Sequence, residues 1–411
     1  MSYNNLLFKK LMFAPLVFLF LFSLPFYYNS TGDGLFDLSS VSGFPLNPLV
    51  FFFLALMVVI VSNLTSHVFT VRFRSGSGLA FAFFSIIYIY FLISSLYGFQ
   101  LHQFNFCLYM LSIYFFSMLV AKDAELANIF ISGLVYVGLL HGAVGLYMMF
   151  FGGVSLVFDY AAQYPNYFRL HGLMANPNYA ANVVGLAFLF CFYRHGSFNK
   201  WVPVLLMILF ILTFSRGAIL ALFLSLVISA LLVGSWRKLF KFSIFVMVGG
   251  LLFLMIIDGE TLSKVFRVEN AASLSGRLGI WEDAYREITR GPLVFLFGHG
   301  YGSFSRMVGA GAHSFFVKAL FENGFVFVLL FCIFSLFIIY KAKREVIDTT
   351  VIIKNKSFLF IALFLFFLIR SFTSPSIFNG GYPGFVFVFL LAMYFVNGPA
   401  VERKSPVGVD T

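Results

Sequence analysis

Arg169, Arg216, Arg277, His313 and Arg370 are the side chains in this sequence whose types could do chemistry together. Four guanidinium groups, permanently charged and forked, suit the oxygens of a phosphate or diphosphate. An imidazole beside them could take a proton from an attacking hydroxyl. The five are far apart in the chain, and the chain around them is hostile to charge: 61% of residues are hydrophobic, 20% aromatic and 10% charged. Cations in such a setting are costly, and cost without structural return points to function.

The elements that must position these residues are apolar runs of membrane-spanning length, which recur from end to end of the 411 residues. Spans are expected near 11–28, 47–64, 79–98, 103–121, 126–151, 173–193, 200–214, 217–234, 240–258, 314–340, 356–371 and 383–398. The runs are continuously apolar rather than alternating, which argues against a β-barrel, and the hydropathy excludes soluble globular and disordered classes. The expected fold is all-α, a polytopic membrane protein of about twelve helices forming a single integral membrane domain over 1–411. Lys9 and Lys10 precede the first span as in a signal peptide, but no small-x-small site follows, so a retained signal-anchor is expected. Cys107, Cys191 and Cys332 are isolated within spans and read as small buried hydrophobes.

Charge sets the sidedness. With the N-terminus in the cytoplasm, the inner connections hold 17 of the 27 Lys and Arg, from Lys9 and Lys10 to Arg403 and Lys404, while the outer connections near 29–46 and 99–102 hold none. This is the positive-inside pattern, and an even number of helices returns the C-terminus to the cytoplasm. It also accounts for most of the net charge of +11 without nucleic acid. Two outer loops remain, 152–171 and 259–312; long loops escape the charge rule. Arg169 ends the first, Arg216 sits in the tight turn between two spans, and Arg370 lies at the outer end of another. A ring of cations on that face suggests an anionic ligand.

Four segments carry the signal. Asn176-Pro177-Asn178-Tyr179, with Arg169 and His171 just before it, reads as a helix start. Pro suits the first helical position and Asn the cap, so an ordinary helix entrance explains the two Asn as well as ligand contact does. Ser215-Arg216-Gly217-Ala218 interrupts an apolar stretch too long for one span; Gly217 can supply the hairpin turn, and Arg216 is left to function or to snorkelling. Ser275-Gly276-Arg277-Leu278 opens an amphipathic helix over 275–287. Leu278, Trp281 and Tyr285 repeat there at helical spacing and could lie on the membrane surface. Arg277 falls in its first turn, where the helix dipole prefers an acid, which makes it a candidate for ligand contact. His313 begins a span in which Lys318 and Glu322, spaced i, i+4, read as an internal ion pair. Gly298-His299-Gly300-Tyr301-Gly302 matches neither a P-loop nor a dinucleotide fingerprint and reads as a tight turn with His299 solvated.

In this order and at these spacings, the four segments resemble the O-antigen polymerase and O-antigen ligase superfamily of bacterial membrane glycosyltransferases. The resemblance runs from Gly172 through Asn176-Pro177-Asn178-Tyr179, Ser215-Arg216-Gly217-Ala218 and Ser275-Gly276-Arg277-Leu278 with Trp281, to His313, Leu320, Glu322 and Gly324. It covers roughly 130–340 well; the ordered set is strong where no single block is specific. Members commonly carry Asn directly after the histidine, where this chain has Ser314.

The resemblance implies a C-type glycosyltransferase fold with its active site on the periplasmic face of the bacterial inner membrane. It implies transfer of glycan from an undecaprenyl-diphosphate carrier, with no nucleotide sugar, no cofactor and no metal. Arg216, Arg277 and Arg370 would then contact the diphosphate and Arg169 would lie near donor or acceptor. His171, Asn176, Asn178 and Tyr179 would line the substrate site, and His313 would activate the acceptor hydroxyl. Trp281 and the tyrosines of 152–171 could stack on sugars, though interfacial aromatic belting explains them equally well. One in-line displacement implies inversion at the anomeric carbon. The acceptor would be a second carrier-linked repeat for a polymerase, the lipid A core for a ligase, or a protein. A chain-length regulator and membrane lipid are further expected partners, and the polymerase is the favoured assignment. The competing class is a lipid-linked-sugar transporter or flippase. It is favoured only by Lys318 and Glu322, since the other cations gather at one rim and the halves show no repeat.

Overall fold

The computed structural model describes residues 9–31, 48–65, 77–96, 101–151, 170, 177–193, 201–234, 277–309, 311–347, 351–374, 377–378 and 382–396. These residues are mostly helical and contain no strand. After a π-helical turn at Lys9–Phe13 come α1 (Ala14–Thr31), α2 (Pro48–Thr65), α3 (Gly78–Ser95), α4 (Leu101–Lys122) and α5 (Ala124–Phe151). Next are α6 (Pro177–Tyr193), α7 (Trp201–Leu212) and α8 (Arg216–Val233). Three short non-spanning helices follow, α9 (Arg277–Ile288), α10 (Pro292–Phe297) and α11 (Ser303–Val308), then α12 (Phe315–Ile347), α13 (Val351–Arg370) and α14 (Tyr382–Phe395). Five of them, α3, α4, α5, α8 and α12, are long and apolar enough to cross a membrane. The chain is a multi-pass α-helical membrane protein. Each expected span has its helix except 240–258, which lies outside the described residues, as do most of 152–171 and 259–276.

The interior is built on phenylalanine. All of α14 except Met393 is buried, which places that helix at the centre. Around Phe385 stand Phe20, Phe52, Phe116 and Phe130, with ring centroids 5.0, 6.2, 5.7 and 5.5 Å away. Tilted and edge-on contacts of this kind suit the ring quadrupole, and dispersion packing is what holds helices together where no water is displaced. Cys107 and Cys191 are buried as expected, but Cys332 is exposed on the flank of α12, so the expectation of a buried thiol fails there.

Hydrogen bonds gather one set of helix ends. The Leu170 amide donates to the Leu212 carbonyl at 2.9 Å, joining the segment before α6 to the end of α7. The Phe315 amide donates to the Ser371 carbonyl at 2.8 Å, joining the start of α12 to the turn after α13. At the other end of the bundle the Ser77 hydroxyl donates to the Phe395 carbonyl at 2.9 Å and Lys341 lies over the Tyr394 ring at 5.5 Å.

Helices α9, α10 and α11 form a cap over the first end. Ala284, Ile288, Phe304, Ala312 and Phe321 make a small apolar core of its own. The cap docks where α12 breaks: Gly324 has φ 81° and ψ 175°, and a Cβ there would collide with the Leu296 carbonyl. Gly298, at φ 77°, meets the Glu322 carbonyl in the same way. Both positions therefore need glycine for backbone conformation and for close approach. The His299 and Gly300 amides donate to the Phe321 and Glu322 carbonyls at 2.9 and 2.8 Å, which uses carbonyls freed by the break. Tyr301 then lies flat on Phe106 of α4, with centroids 3.7 Å apart. The glycine-rich segment is thus the tight turn expected. His299 departs from expectation: its Nε2 is enclosed and its ring rests 4.7 Å from that of Phe321, because the turn presses it onto α12.

Candidate functional site

The turn between α7 and α8 sets Arg216. A hairpin this tight needs one left-handed residue, and that residue is Phe214 (φ 48°), not Gly217 as the sequence suggested. A bulky residue at positive φ is strained and persists only where surroundings fix it. Gly217 is already helical, and its smallness has another use. A Cβ there would come within 2.6 Å of Thr373 Oγ1 and 3.1 Å of Arg370 Nη1. The Ser215 hydroxyl does not cap its own helix; it donates to Asn178 Oδ1 at 2.7 Å, so the second segment is tied to the first.

Arg370 lies beneath this junction. It is buried, at 2% exposure. Its Nε donates to Asn182 Oδ1 at 2.8 Å, Nη1 to Thr373 Oγ1 at 2.6 Å, and Nη2 to the Asn178 carbonyl at 3.2 Å. One planar fork thereby fastens α6 to the end of α13 and underlies Gly217 of α8. The sequence reading put Arg370 at the diphosphate; in this placement its hydrogen bonds are those of a brace. Asn178 is part of the same brace through its side chain and its carbonyl, while Tyr179 packs against the membrane core. Asn182 was not singled out from sequence, though a second Asn four residues after Asn178 in an apolar helix was the signal for it.

Arg216, in contrast, is exposed, and its charge is felt by Arg277, whose charge in turn is felt by His313. Arg277 opens α9, and its proton affinity is lowered first by burial and then by the Arg216 charge. The His313 imidazole is likewise pushed toward the neutral form, first by the protein packed around it and then by the Arg277 charge. The structure therefore brings together three residues that are far apart in sequence. Among the described residues Arg277 makes no ion pair. Two like charges held close, with a neutral imidazole beside them, form a place where an anion lowers the energy.

His313 is held by several contacts. Its backbone is left-handed, φ 52°, a conformation that histidine tolerates better than most residues but that still costs energy. The indole N–H of Trp281 donates to the Ala312 carbonyl at 2.8 Å, fixing α9 against the residue before it. Ser314, buried at 3%, accepts the Val317 amide at 3.5 Å and donates to the Ser371 carbonyl at 3.5 Å. The serine keeps the capping geometry of α12, at the long limit, in place of asparagine.

Glu322 and Lys318 are occupied by the cap. The buried Glu322 carboxylate accepts the Gly302 and Phe304 amides at 3.2 and 3.4 Å, and Lys318 Nζ lies 3.8 Å away. The expected ion pair exists, but the carboxylate also organises the glycine turn, which removes the main feature that favoured transport. Arg169, His171 and Asn176 lie outside the described residues.

Residues 201–332 match the family model described as O-Antigen ligase. This match over part of the chain supports a relationship to the O-antigen ligase/polymerase superfamily. That superfamily points to a glycosyl-transfer enzyme. The matched span holds Arg216, Arg277 and His313, whereas the bracing residues Asn178, Asn182 and Arg370 lie outside it. No curated protein matches the sequence.

A base that works as neutral imidazole loses activity as pH falls through its folded-state pKa. His313 is lowered from the ordinary histidine value, so the midpoint of the acid-side loss of any activity that needs its neutral form should fall below about pH 6.5, where an unperturbed histidine is half protonated. Initial rates of the reconstituted protein between about pH 5 and 8 check this; a midpoint above about 6.5 would place the titrating group elsewhere.

Proposed function

We propose that this protein transfers glycan from a polyprenyl-diphosphate carrier to a sugar hydroxyl at the outer face of the membrane, polymerising repeat units of a surface polysaccharide. The convergence of Arg216, Arg277 and His313 carries this reading. Arg216 and Arg277 take the diphosphate oxygens, and negative charge grows there as the bond to the anomeric carbon breaks. Donors already in place need no reorganisation at that moment, so they lower the barrier directly. His313 accepts the proton of the acceptor hydroxyl as its oxygen attacks from the opposite side, which inverts the anomeric carbon. Arg370 acts one layer below as a positioning residue, holding the Ser215–Arg216 turn through Asn178 and Thr373. The positive-inside distribution of Lys and Arg supports the outer face.

The second reading is ligation of finished polymer onto a lipid A core, favoured by the description of the matching family. Deletion of the gene, with surface lipopolysaccharide run on a gel, separates the two. Core bearing one repeat and no ladder is expected for the polymerase. Bare core with long polymer retained on the carrier would establish the ligase, and an unchanged ladder would exclude both for lipopolysaccharide and direct the same comparison to other surface glycans.

A further inference from the structure

The amphipathic helix α9 has a second face, turned away from the apolar core of the cap. Ala284 and Ile288 point into the cap core, and Trp281 reaches Ala312. Outward lies a shallow depression of about 330 Å³ lined by Leu278, Trp281, Glu282, Tyr285 and Arg286. Tyr285 is 64% exposed and Leu278 44% exposed. We propose that this depression is a saccharide subsite that receives sugar rings of the carrier-linked glycan beyond the one attached to the diphosphate. The inference rests on the transfer reading above and names where its substrate runs.

Three observations favour a glycan as occupant. The first is position: the helix that carries the shelf opens on Arg277, so Trp281 follows one helical turn after a guanidinium assigned to the diphosphate. The second is composition. Sugar rings offer apolar C–H faces rimmed by hydroxyls, and they are met by aromatic faces with a few polar groups between them. Here the Trp281 N–H is already taken by Ala312, so the indole offers its ring rather than its donor, and the ring cannot swing away. Glu282 supplies acceptors for hydroxyls, and Arg286, loosely paired with Asp283 at 3.8 Å, supplies donors. The third is charge. A helix lying on an anionic leaflet carries Lys and Arg on its polar face. The exposed face of α9 instead mixes Glu282 and Asp283 with Arg286 between Leu278 and Tyr285. That pattern suits a neutral or mixed polar ligand better than a lipid surface.

The test uses the three tryptophans of the chain, Trp201, Trp236 and Trp281. In the full-length protein carrying W201F and W236F, emission reports Trp281 alone. The probe is the free oligosaccharide repeat released by mild acid from the host's own surface polysaccharide. The expected result is a saturable change in Trp281 emission, with Tyr285→Ala and Glu282→Gln each weakening apparent affinity about tenfold, or ~1.4 kcal/mol. Among the described residues Tyr285 makes no side-chain hydrogen bond and it is 64% exposed, so Tyr285→Ala should fold normally; an unchanged thermal midpoint verifies that. In the transfer reaction the same variants should raise KM with little change in kcat, which a purely structural lesion would not do. A response to anionic lipid vesicles with none to the oligosaccharide would overturn the subsite and assign the face to the membrane. Full activity in Arg216→Ala and Arg277→Ala would sink the transfer reading itself. Inactivity of those variants without glycan binding would sink the subsite alone.

Discussion

Arg277→Ala should lower transfer by at least about a hundredfold to a thousandfold while leaving the protein inserted and folded. The guanidinium is half-buried, approaches Arg216, and has no ion pair among the described residues, so its removal relieves repulsion in the resting protein. What disappears is charge placed against the departing diphosphate. Arg277→Lys should recover only part of the activity, because an ammonium cannot reproduce a planar pair of donors. The substitution carries an independent signature. Burial and the Arg277 charge both hold His313 toward its neutral form, in that order. Without the charge, the His313 titration should move upward, toward but short of the ordinary histidine range. Histidine-selective NMR of the full-length protein reads that shift; no movement would mean that Arg277 and His313 do not face each other. Cell-surface polysaccharide in a complemented deletion host gives the activity.

Arg370→Ala should fail in a different way, by destabilising the protein by about 3–5 kcal/mol. The guanidinium is 2% exposed and holds Asn182, Thr373 and the Asn178 carbonyl at once. Deleting it leaves the buried Asn182 side chain without its donor, at a cost of about 1–3 kcal/mol before relaxation, and removes two further bonds to part-buried acceptors. Arg370→Lys should recover part of the stability, since one ammonium cannot span partners on two helices in a plane. Thermal midpoints in detergent check the ranking of wild type, lysine and alanine variants. A stable but inactive Arg370→Ala protein would contradict the bracing role and return this residue to the diphosphate.

The helical architecture was legible because hydropathy over a span is a strong, local signal. Pro177 opening α6, the turn before Arg216 and the helix beginning at Arg277 were legible for the same reason: turn and cap chemistry is written in neighbouring residues. What escaped depends on partners distant in the chain. Gly217 looked like the residue that makes the hairpin, but the left-handed position is Phe214, and Gly217 is small because Arg370 and Thr373 arrive from α13. The break in α12 at Gly324 depends on Leu296, whose carbonyl occupies the space that a Cβ would take. Arg370 was noticed as a cation at a rim, yet only its three acceptors distinguish a brace from a ligand contact. Sequence finds an unusual charge readily; it cannot say which side of a turn the charge is on.

The most direct test is transfer by the purified protein in lipid, given the host's carrier-linked oligosaccharide and followed in a single turnover. Wild type should release carrier diphosphate and lengthen the glycan, with Arg216→Ala, Arg277→Ala and His313→Ala all folded and all defective in the transfer step. Transfer at the wild-type rate by a protein lacking Arg216 or Arg277 would show that these cations do not carry the leaving group, and the account would fall.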